Sequence, residues 1–346
     1  MKLATYNCRG LSNDLKQSVL AADLKRYQVD ICSLQETKLI GIEASNVSFE
    51  DYNFYFLENS DIWHGLGFAV RKTLSTTINT KLVTNRIAIL QLDIGDEKGN
   101  SITIINVHAP TALHEKERDV FFENLQKVVD KYKSESLMYI AGDFNSKVGR
   151  KGDAEMSVGS HVKQQKRNAA GQKLVDFGET NRMILCNTIF KHKECHKATW
   201  TAKQTKGRII QNQIDFIMCS IRLKKMLKDA RSFGGMKHSS DHKIVISTII
   251  LDRKYTMNIR RKRTDQRISI DSNKLVNNEK IRTAYIYEMK EKLNQINPSS
   301  GDGWNKTVDI MIKIGKEMLR KEKKKSFNVR YNDQILADLR NKETFE

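Results

Sequence analysis

The sequence predicts an α/β sandwich of mixed β-sheets followed by a basic helical extension. Three observations carry that expectation. Short apolar runs rich in Ile, Val, Leu and Phe recur along the first 250 residues or so. Amphipathic stretches with helical spacing fall between some of them. Beyond about Asp252 the texture turns basic and helical. Strands with intervening helices, and many strands that follow one another directly, suggest an α/β sandwich with mixed sheets.

The strands are expected at Lys2–Asn7, Ile31–Gln35, Gly67–Val70, Ile87–Leu92, Ile102–His108, Leu137–Ala141, Met183–Cys186, Gln213–Cys219 and Ile244–Ile250. Most are 4–8 residues long, as buried strands are. Of the helices, Lys16–Arg26 gathers Val19, Leu20 and Leu24 on one side. Glu115–Lys133 places Phe121, Phe122, Leu125, Val128, Val129 and Tyr132 on one face at a spacing of three and four. In the extension, Asn278–Gln295 and Trp304–Lys324 read as helices, separated by the breaker Asn297-Pro298-Ser299-Ser300-Gly301-Asp302-Gly303. The division is therefore residues 1–252 and 253–346.

The chain has 346 residues, and hydrophobic residues make up 39% of it, enough for one sizeable core plus an extension. Its formal charge is +19. Residues 253–346 hold 23 Lys and Arg against 13 Asp and Glu, so positive charge is densest there. Such a surplus attracts polyanions, nucleic acid first and an anionic membrane surface second. The clusters Arg260-Arg261-Lys262-Arg263 and Lys321-Glu322-Lys323-Lys324-Lys325 read either as solvated linker or as phosphate-binding segments. No stretch approaches 18 consecutive apolar residues, so no membrane span is expected. Met1–Tyr6 enters a strand at once without a signal-peptide core, and five cysteines without a CxxC pair suit a reducing compartment.

The informative feature is what sits at the strand ends. The first strand ends in Asn7, and the second in Gln35-Glu36. Two others end in His108 and in Gly142-Asp143-Phe144-Asn145. Asp215 lies on a strand, and Ser239-Ser240-Asp241-His242 precedes the last. One Asp or Asn in such a place is ordinary turn chemistry. Six strands with acceptor or proton-transfer groups at their ends are not explained by independent caps, and open α/β sheets bind ligands at such edges.

That set suits phosphodiester hydrolysis, which needs a divalent cation on a phosphate oxygen, an activated water and relief of transition-state charge. A hard cation such as Mg²⁺ takes few carboxylate or amide oxygens and keeps several waters. Glu36 with Asn7 supplies so sparse a site. Asp143 is placed to act as the base, and Asn145 to donate to the non-bridging oxygens. His242 paired with Asp215 can bind or protonate phosphate oxygens in a fixed tautomer.

These residues carry a resemblance. Thr5-Tyr6-Asn7, Leu34-Gln35-Glu36-Thr37, Asn106-Val107-His108-Ala109-Pro110, Gly142-Asp143-Phe144-Asn145, Thr199-Trp200, Gln213-Ile214-Asp215-Phe216 and Ser240-Asp241-His242 follow the order seen in the endonuclease/exonuclease/phosphatase superfamily. Together they cover residues 1 to about 250. The resemblance implies a DNase I-like four-layer sandwich of two mixed β-sheets flanked by helices. It implies Mg²⁺ at Glu36 with Asn7, with Mn²⁺ as the alternative ion. Asp143 then activates water, Asn145 stabilises the transition state, Asp215 orients His242, and Asp241 is an auxiliary metal ligand or a structural acid. Asn168, in Arg167-Asn168 with Gly171, resembles a segment that lies near nucleic acid in retrotransposon members.

Within the superfamily the chain resembles the endonucleases of RTE-type non-LTR retrotransposons, through Asn187-Thr188-Ile189-Phe190 and His196-Lys197-Ala198-Thr199-Trp200. Trp304 and the Lys321–Lys325 cluster resemble the segment that links endonuclease to reverse transcriptase. Two positions depart from the pattern. His108 stands where many DNA-cleaving relatives have Tyr, and an imidazole there is expected to titrate near neutrality. Arg9 stands where abasic-site relatives have an acid; it is expected to repel a second ion and to face DNA instead.

Other features have plainer readings. His192, Cys195 and His196 cluster as zinc ligands do, but the fourth ligand is missing and a surface turn explains them. Trp200 is either core or a wedge for a DNA groove. Trp63-His64-Gly65 reads as a loop beside the site.

The resulting expectation is a Mg²⁺-dependent enzyme that nicks DNA. Against it stand the same core acting on an inositol phosphate or a lipid head group, and a weak remnant that only binds nucleic acid or protein. DNA is the expected partner, with no membrane and no small-molecule cofactor. The nucleus follows as the expected location from the substrate, with the cytoplasm as the alternative.

Overall fold

A computed structural model describes residues 1–39, 45–49, 51–58, 64–74, 78–93, 101–111, 113–133, 136–204, 207–250 and 277–293, with Ile310, Lys313, Ile314 and Met318. The chain divides into two units, Met1–Lys262 and Arg263–Glu346.

In the first unit the strands are β1 (Lys2–Asn7), β2 (Ile31–Gln35), β3 (Ser45–Phe49), β4 (Tyr52–Phe56), β5 (Leu66–Arg71), β6 (Ile78–Thr84), β7 (Ile87–Asp93) and β8 (Ser101–His108). They continue with β9 (Ser136–Asp143), β10 (Met183–Leu185), β11 (Trp200–Lys203), β12 (Ile209–Asn212), β13 (Asp215–Ser220), β14 (Leu227–Phe233) and β15 (Ile244–Ile249). The helices are α1 (Asp14–Tyr27), α2 (Glu115–Tyr132) and α3 (Ala169–Thr180).

Among the described residues these strands form a seven-stranded sheet in the order β14-β15-β1-β2-β5-β4-β3, a six-stranded sheet in the order β10-β13-β9-β8-β7-β6, and the hairpin β11-β12. Both large sheets are mixed: β1–β2 and β8–β9 are parallel, the other pairs antiparallel.

Alternation along each strand builds the layers. Leu3, Ile31, Phe68 and Val70 of the first sheet meet Leu90, Ile104, Tyr139 and Ile217 of the second in one buried cluster. The opposite face of the first sheet, through Ala4, Tyr6, Leu34 and Phe54, covers Leu20 and Leu24 of α1. The opposite face of the second, through Ile105, Val107, Ile140 and Phe216, covers Phe121, Leu125 and Val129 of α2 and Leu174 of α3. The order helix, sheet, sheet, helices is the DNase I-like four-layer sandwich. Each large apolar side chain so enclosed contributes about 1.5–3 kcal/mol.

Every long apolar run expected as a strand is one, with ends shifted by a residue or two. Six strands and one helix were not expected. In β6 exposed and half-buried residues alternate along an edge, so it lacks a core strand's apolar run. The hairpins β3-β4 and β11-β12 and the edge strand β14 are polar on one face for the same reason. α3 contains two glycines, which weaken its helical signal, and depends on Asn168: its Oδ1 accepts the Gly171 N–H at 2.8 Å. Trp200 is half-buried in β11 rather than part of the core.

In the second unit, α4 (Glu279–Leu293) has no buried residue. The basic clusters at 260–263 and 321–325, most of the expected helix Trp304–Lys324, and Trp63 lie outside the described residues. No described helix is long and apolar enough to cross a membrane.

Candidate active site

Strand register brings the polar residues together. In the second sheet Asp143 on β9 is paired with His108 on β8 and with Asp215 on β13. Three chemically active side chains therefore end three adjacent strands at the same level. In the first sheet Asn7 is paired with Gln35, which sets Glu36 one step beyond the end of β2. An isolated bridge between Trp200 and His242 ties the loop before β15 to the hairpin. Glu36 and Asn145 both have positive φ, near +50°, which turns each sharply off its strand.

The two sheets meet through this site. The Asn7 Nδ2 donates to Glu36 Oε1 at 2.9 Å and to Asp143 Oδ2 at 3.1 Å. Just beneath, Asn106 Nδ2 on β8 donates to the carbonyls of Leu34 and Gly67 in the first sheet, at 2.8 and 2.9 Å. Gln35 Nε2 returns a bond to Asn106 Oδ1 at 2.6 Å. All three amides are fully buried, so their mutual satisfaction is required for the sheets to close.

Asp143 is buried, and its Oδ1 accepts the Asn145 N–H at 2.9 Å. Burial, with the neighbouring Asp215 charge, raises its pKa to about 6. His242 turns Nδ1 to both oxygens of Asp215 at 3.0 and 3.1 Å, and its Nε2 lies 3.8 Å from Asp143 Oδ2. Burial alone would lower the His242 pKa, but the Asp215 charge and hydrogen bond, with Asp143 behind them, raise it to about 9. Asp215 is itself fixed by its backbone: its N–H donates to Thr199 Oγ1 at 3.1 Å and its carbonyl accepts Asn187 Nδ2 at 3.0 Å. Ser240 Oγ donates to the Asn7 carbonyl at 2.8 Å, fastening the His242 loop to β1.

His108 places Nε2 3.9 Å from Glu36 Oε1, while its Nδ1 is buried without a hydrogen-bond partner. Burial lowers its pKa despite the nearby Asp143 and Glu36. That shift favours the uncharged imidazole over the imidazolium. A bare acceptor at Nδ1 costs less than an unsatisfied N–H, so the proton belongs on Nε2, facing Glu36. Burial opposes charge on Glu36 too, but the Asn7 amide, His108 and Lys38 hold its carboxyl below the usual range.

These groups line or underlie a pocket of about 450 Å³. Glu36, His108, Asp143, Asn145, His242, Asp241, Trp200, Arg9 and Asn168 reach its wall. Asn7 and Asp215 lie just behind that wall, with less than 2% exposure each. Arg9 is paired with Asp241 Oδ2 at 2.6 Å, and Trp200 Nε1 donates to the same oxygen at 3.0 Å. That oxygen is thus taken, while Asp241 Oδ1 is buried and unpartnered. Asn168 caps α3 and accepts the Lys147 N–H at 3.1 Å, so it has a structural task as well as a place on the wall.

The donor chemistry fits a hard divalent cation. Three carboxylates, Glu36, Asp143 and Asp241, line one small pocket, and a ligand atom from each of Asp143, Asp215 and His242 falls within 4.8 Å of the others. The last trio spends Asp215 on His242, while Glu36 faces the Asn7 amide with Oε1 at 2.9 Å and Lys38 Nζ with Oε2 at 3.3 Å. His192 is bonded to Asp229 at 2.7 Å and His196 to the Ser232 carbonyl at 3.0 Å, and the described residues hold no metal cluster there.

Sequence reading had no roles for Asn106, Asn187, Thr199 or Ser240. They stood in the motifs that carry the resemblance, but the task of each showed only in the structure, because each acts on backbone groups of strands distant in the chain.

The Endonuclease/Exonuclease/phosphatase family is matched over residues 4–224. Craniofacial development protein 2 of Tragulus javanicus is 30% identical over 254 residues, 73% of this chain and 42% of that protein. The protein of the same description from Bos taurus is 27% identical over 314 residues, 88% of this chain and 50% of that one. The chain thus spans half or less of these relatives' length. Among solved structures, the endonuclease domain of a telomere-specific non-LTR retrotransposon superposes with a TM-score of 0.51 at 16% identity, covering 72% of this chain and 99% of that one. An AP endonuclease from Leishmania major gives 0.56 at 16% identity, covering 72% and 88%. At such identity the likeness concerns fold alone.

Proposed function

The chain belongs to the endonuclease/exonuclease/phosphatase family, and from that premise we propose that it is a Mg²⁺-dependent endonuclease that nicks DNA, of RTE-type retrotransposon descent. One observation carries the reading: Asp143 stands between the Asn7–Glu36 pair and the Asp215–His242 pair at a single pocket.

Glu36, oriented by Asn7, would hold the metal, which when bound supplies positive charge to a phosphate oxygen and makes water a better nucleophile. Asp143, ionised above about pH 6, accepts the proton of the attacking water. His242 keeps its proton up to about pH 9 and offers a charged Nε2–H to the phosphate oxygens. His108 offers a neutral Nε2–H from the other side. Asn145 Nδ2 has two hydrogens, of which one is donated to the Ala109 carbonyl at 2.9 Å; the other serves the transition state. Asp215 holds the His242 ring in place.

The choice of DNA follows from the charge of +19, from the basic extension after residue 252, and from the retrotransposon and AP endonucleases that share the fold. Residence in the nucleus follows from that substrate.

Incubation with supercoiled plasmid in Mg²⁺ should yield open circles. Chelator, Asp143→Ala or His242→Ala should each abolish them. Binding without nicking would identify a remnant, and hydrolysis confined to an inositol phosphate or a lipid head group would replace DNA as substrate.

A further inference from the structure

A second pocket, of about 470 Å³, opens on the long connection between β9 and α3. Its lining includes Arg150, Lys151 and Lys197 against one acid, Asp153, together with Gln165 and Val162. Lys197 is shared with Glu194 at 2.7 Å, Arg150 donates its Nε–H to Gln165 Oε1 and is exposed, and Lys151 is exposed beside it.

This pocket and the catalytic one lie on the same two-limbed loop. At the base of the loop, Asn168 donates its N–H to the Lys147 carbonyl at 3.1 Å, and both residues reach the catalytic pocket. Three residues out on each limb, Arg150 donates its N–H to the Gln165 carbonyl at 3.3 Å, and both reach the second pocket. Three residues of chain span at most about 10 Å. Each strand of a duplex advances 3.4 Å per nucleotide, so this spacing is on the order of one to three nucleotides.

The loop is held rigid. Gly149 has φ +62°, and a Cβ there would meet the Arg167 backbone nitrogen at 2.6 Å, so glycine is required. Arg167 is spent internally: its guanidinium bonds Glu155 through two nitrogens at 2.5 and 2.7 Å, the Val148 carbonyl at 2.5 Å and the Arg150 carbonyl at 3.1 Å. The half-buried Arg167 thus braces the loop, while Arg150, tied through Nε to Gln165, and Lys151 remain exposed to solvent.

We propose that this second pocket is a subsite for the sugar-phosphate backbone of the strand being cut, with Arg150 and Lys151 contacting phosphates one to three nucleotides from the scissile bond. The proposal rests on the endonuclease reading and deepens it: the substrate is an extended strand, bound by its phosphates without regard to base.

The test is binding of a fluorescent duplex of about 20 base pairs in chelator, so that no cleavage intervenes, measured by anisotropy across a salt series. Each lost phosphate contact lowers the slope of log affinity against log salt by about 0.9, so Arg150→Gln with Lys151→Gln should lower it by about two. In a second measurement, neutral methylphosphonate linkages at those positions should weaken wild-type binding and leave the double variant unaffected. An unchanged slope and an unchanged methylphosphonate penalty in the double variant would overturn the subsite. Plasmid nicking run in parallel separates the two readings. Nicking with no slope difference sinks the subsite alone, and a slope difference without nicking sinks the catalytic reading alone.

Discussion

The Nδ1 nitrogen of His242 sits within 3.1 Å of both carboxylate oxygens of Asp215, from a loop that follows Asp215 by 27 residues. Asp215 therefore governs both where the ring points and which nitrogen faces Asp143. Asp215→Asn should lower kcat for nicking by roughly 10²–10⁴-fold with little change in KM, because an amide neither holds the ring charge nor fixes its tautomer. A kcat within twofold of wild type would remove Asp215 from the machinery.

The rate of nicking should be bell-shaped in pH. It should rise through about 6 as Asp143 gives up its proton and fall through about 9 as His242 loses its own. Stability follows a related course. The folded-state pKa of His242 is raised above 6.5, so its contribution is complete below that value and lost as pH climbs through about 9. Asp143 acts in the same direction at lower pH: its folded-state pKa is also raised, so the cost of its buried charge grows as pH rises above the ordinary 3.8 and is fully felt above about 6. Initial rates and chemical-denaturation curves from pH 5 to 10 check both; a flat rate profile would contradict the assignment.

Asn7 touches both Glu36 and Asp143 from behind the pocket wall. Asn7→Ala should weaken Mg²⁺ binding by about 10–100-fold, as loss of groups that orient ligands does. Calorimetric titration with Mg²⁺ measures this without reference to turnover. Undiminished affinity would place the metal away from Glu36.

Gly142 lies on β9 opposite Val107 of β8, and a Cβ on it would fall 1.9 Å from the Val107 carbonyl oxygen. Gly142→Ala must push the two central strands apart beside Asp143. The expected destabilisation is at least about 1–3 kcal/mol, read from denaturant midpoints, with loss of nicking. A variant as stable as wild type would mean that the strands yield there without strain.

How much of this was legible in the sequence depended on where information resides. Strands buried on both faces, such as Ile102–His108, announce themselves as apolar runs, and their polar ends marked Asn7, Glu36, His108 and Asp143. Edge strands such as Ile78–Thr84 carry half the signal, because one face meets water. The Asn106–Gln35 clasp was invisible, since a buried amide looks like any other amide until its partners across the seam are known. The downward shift of the His108 pKa was equally hidden: it follows from burial, which the residue type does not reveal.

The pocket straddles two sheets, with Asn7 and Glu36 on one, Asp143 and Asp215 on the other, and His242 near the end of the domain. A half-made chain emerging from the ribosome therefore carries no complete pocket. The pocket is complete only when β15 has joined its sheet and the two layers have closed. On the proposed endonuclease reading, nicking would then gauge correct assembly, since a species with one sheet formed and the other open lacks half of the pocket.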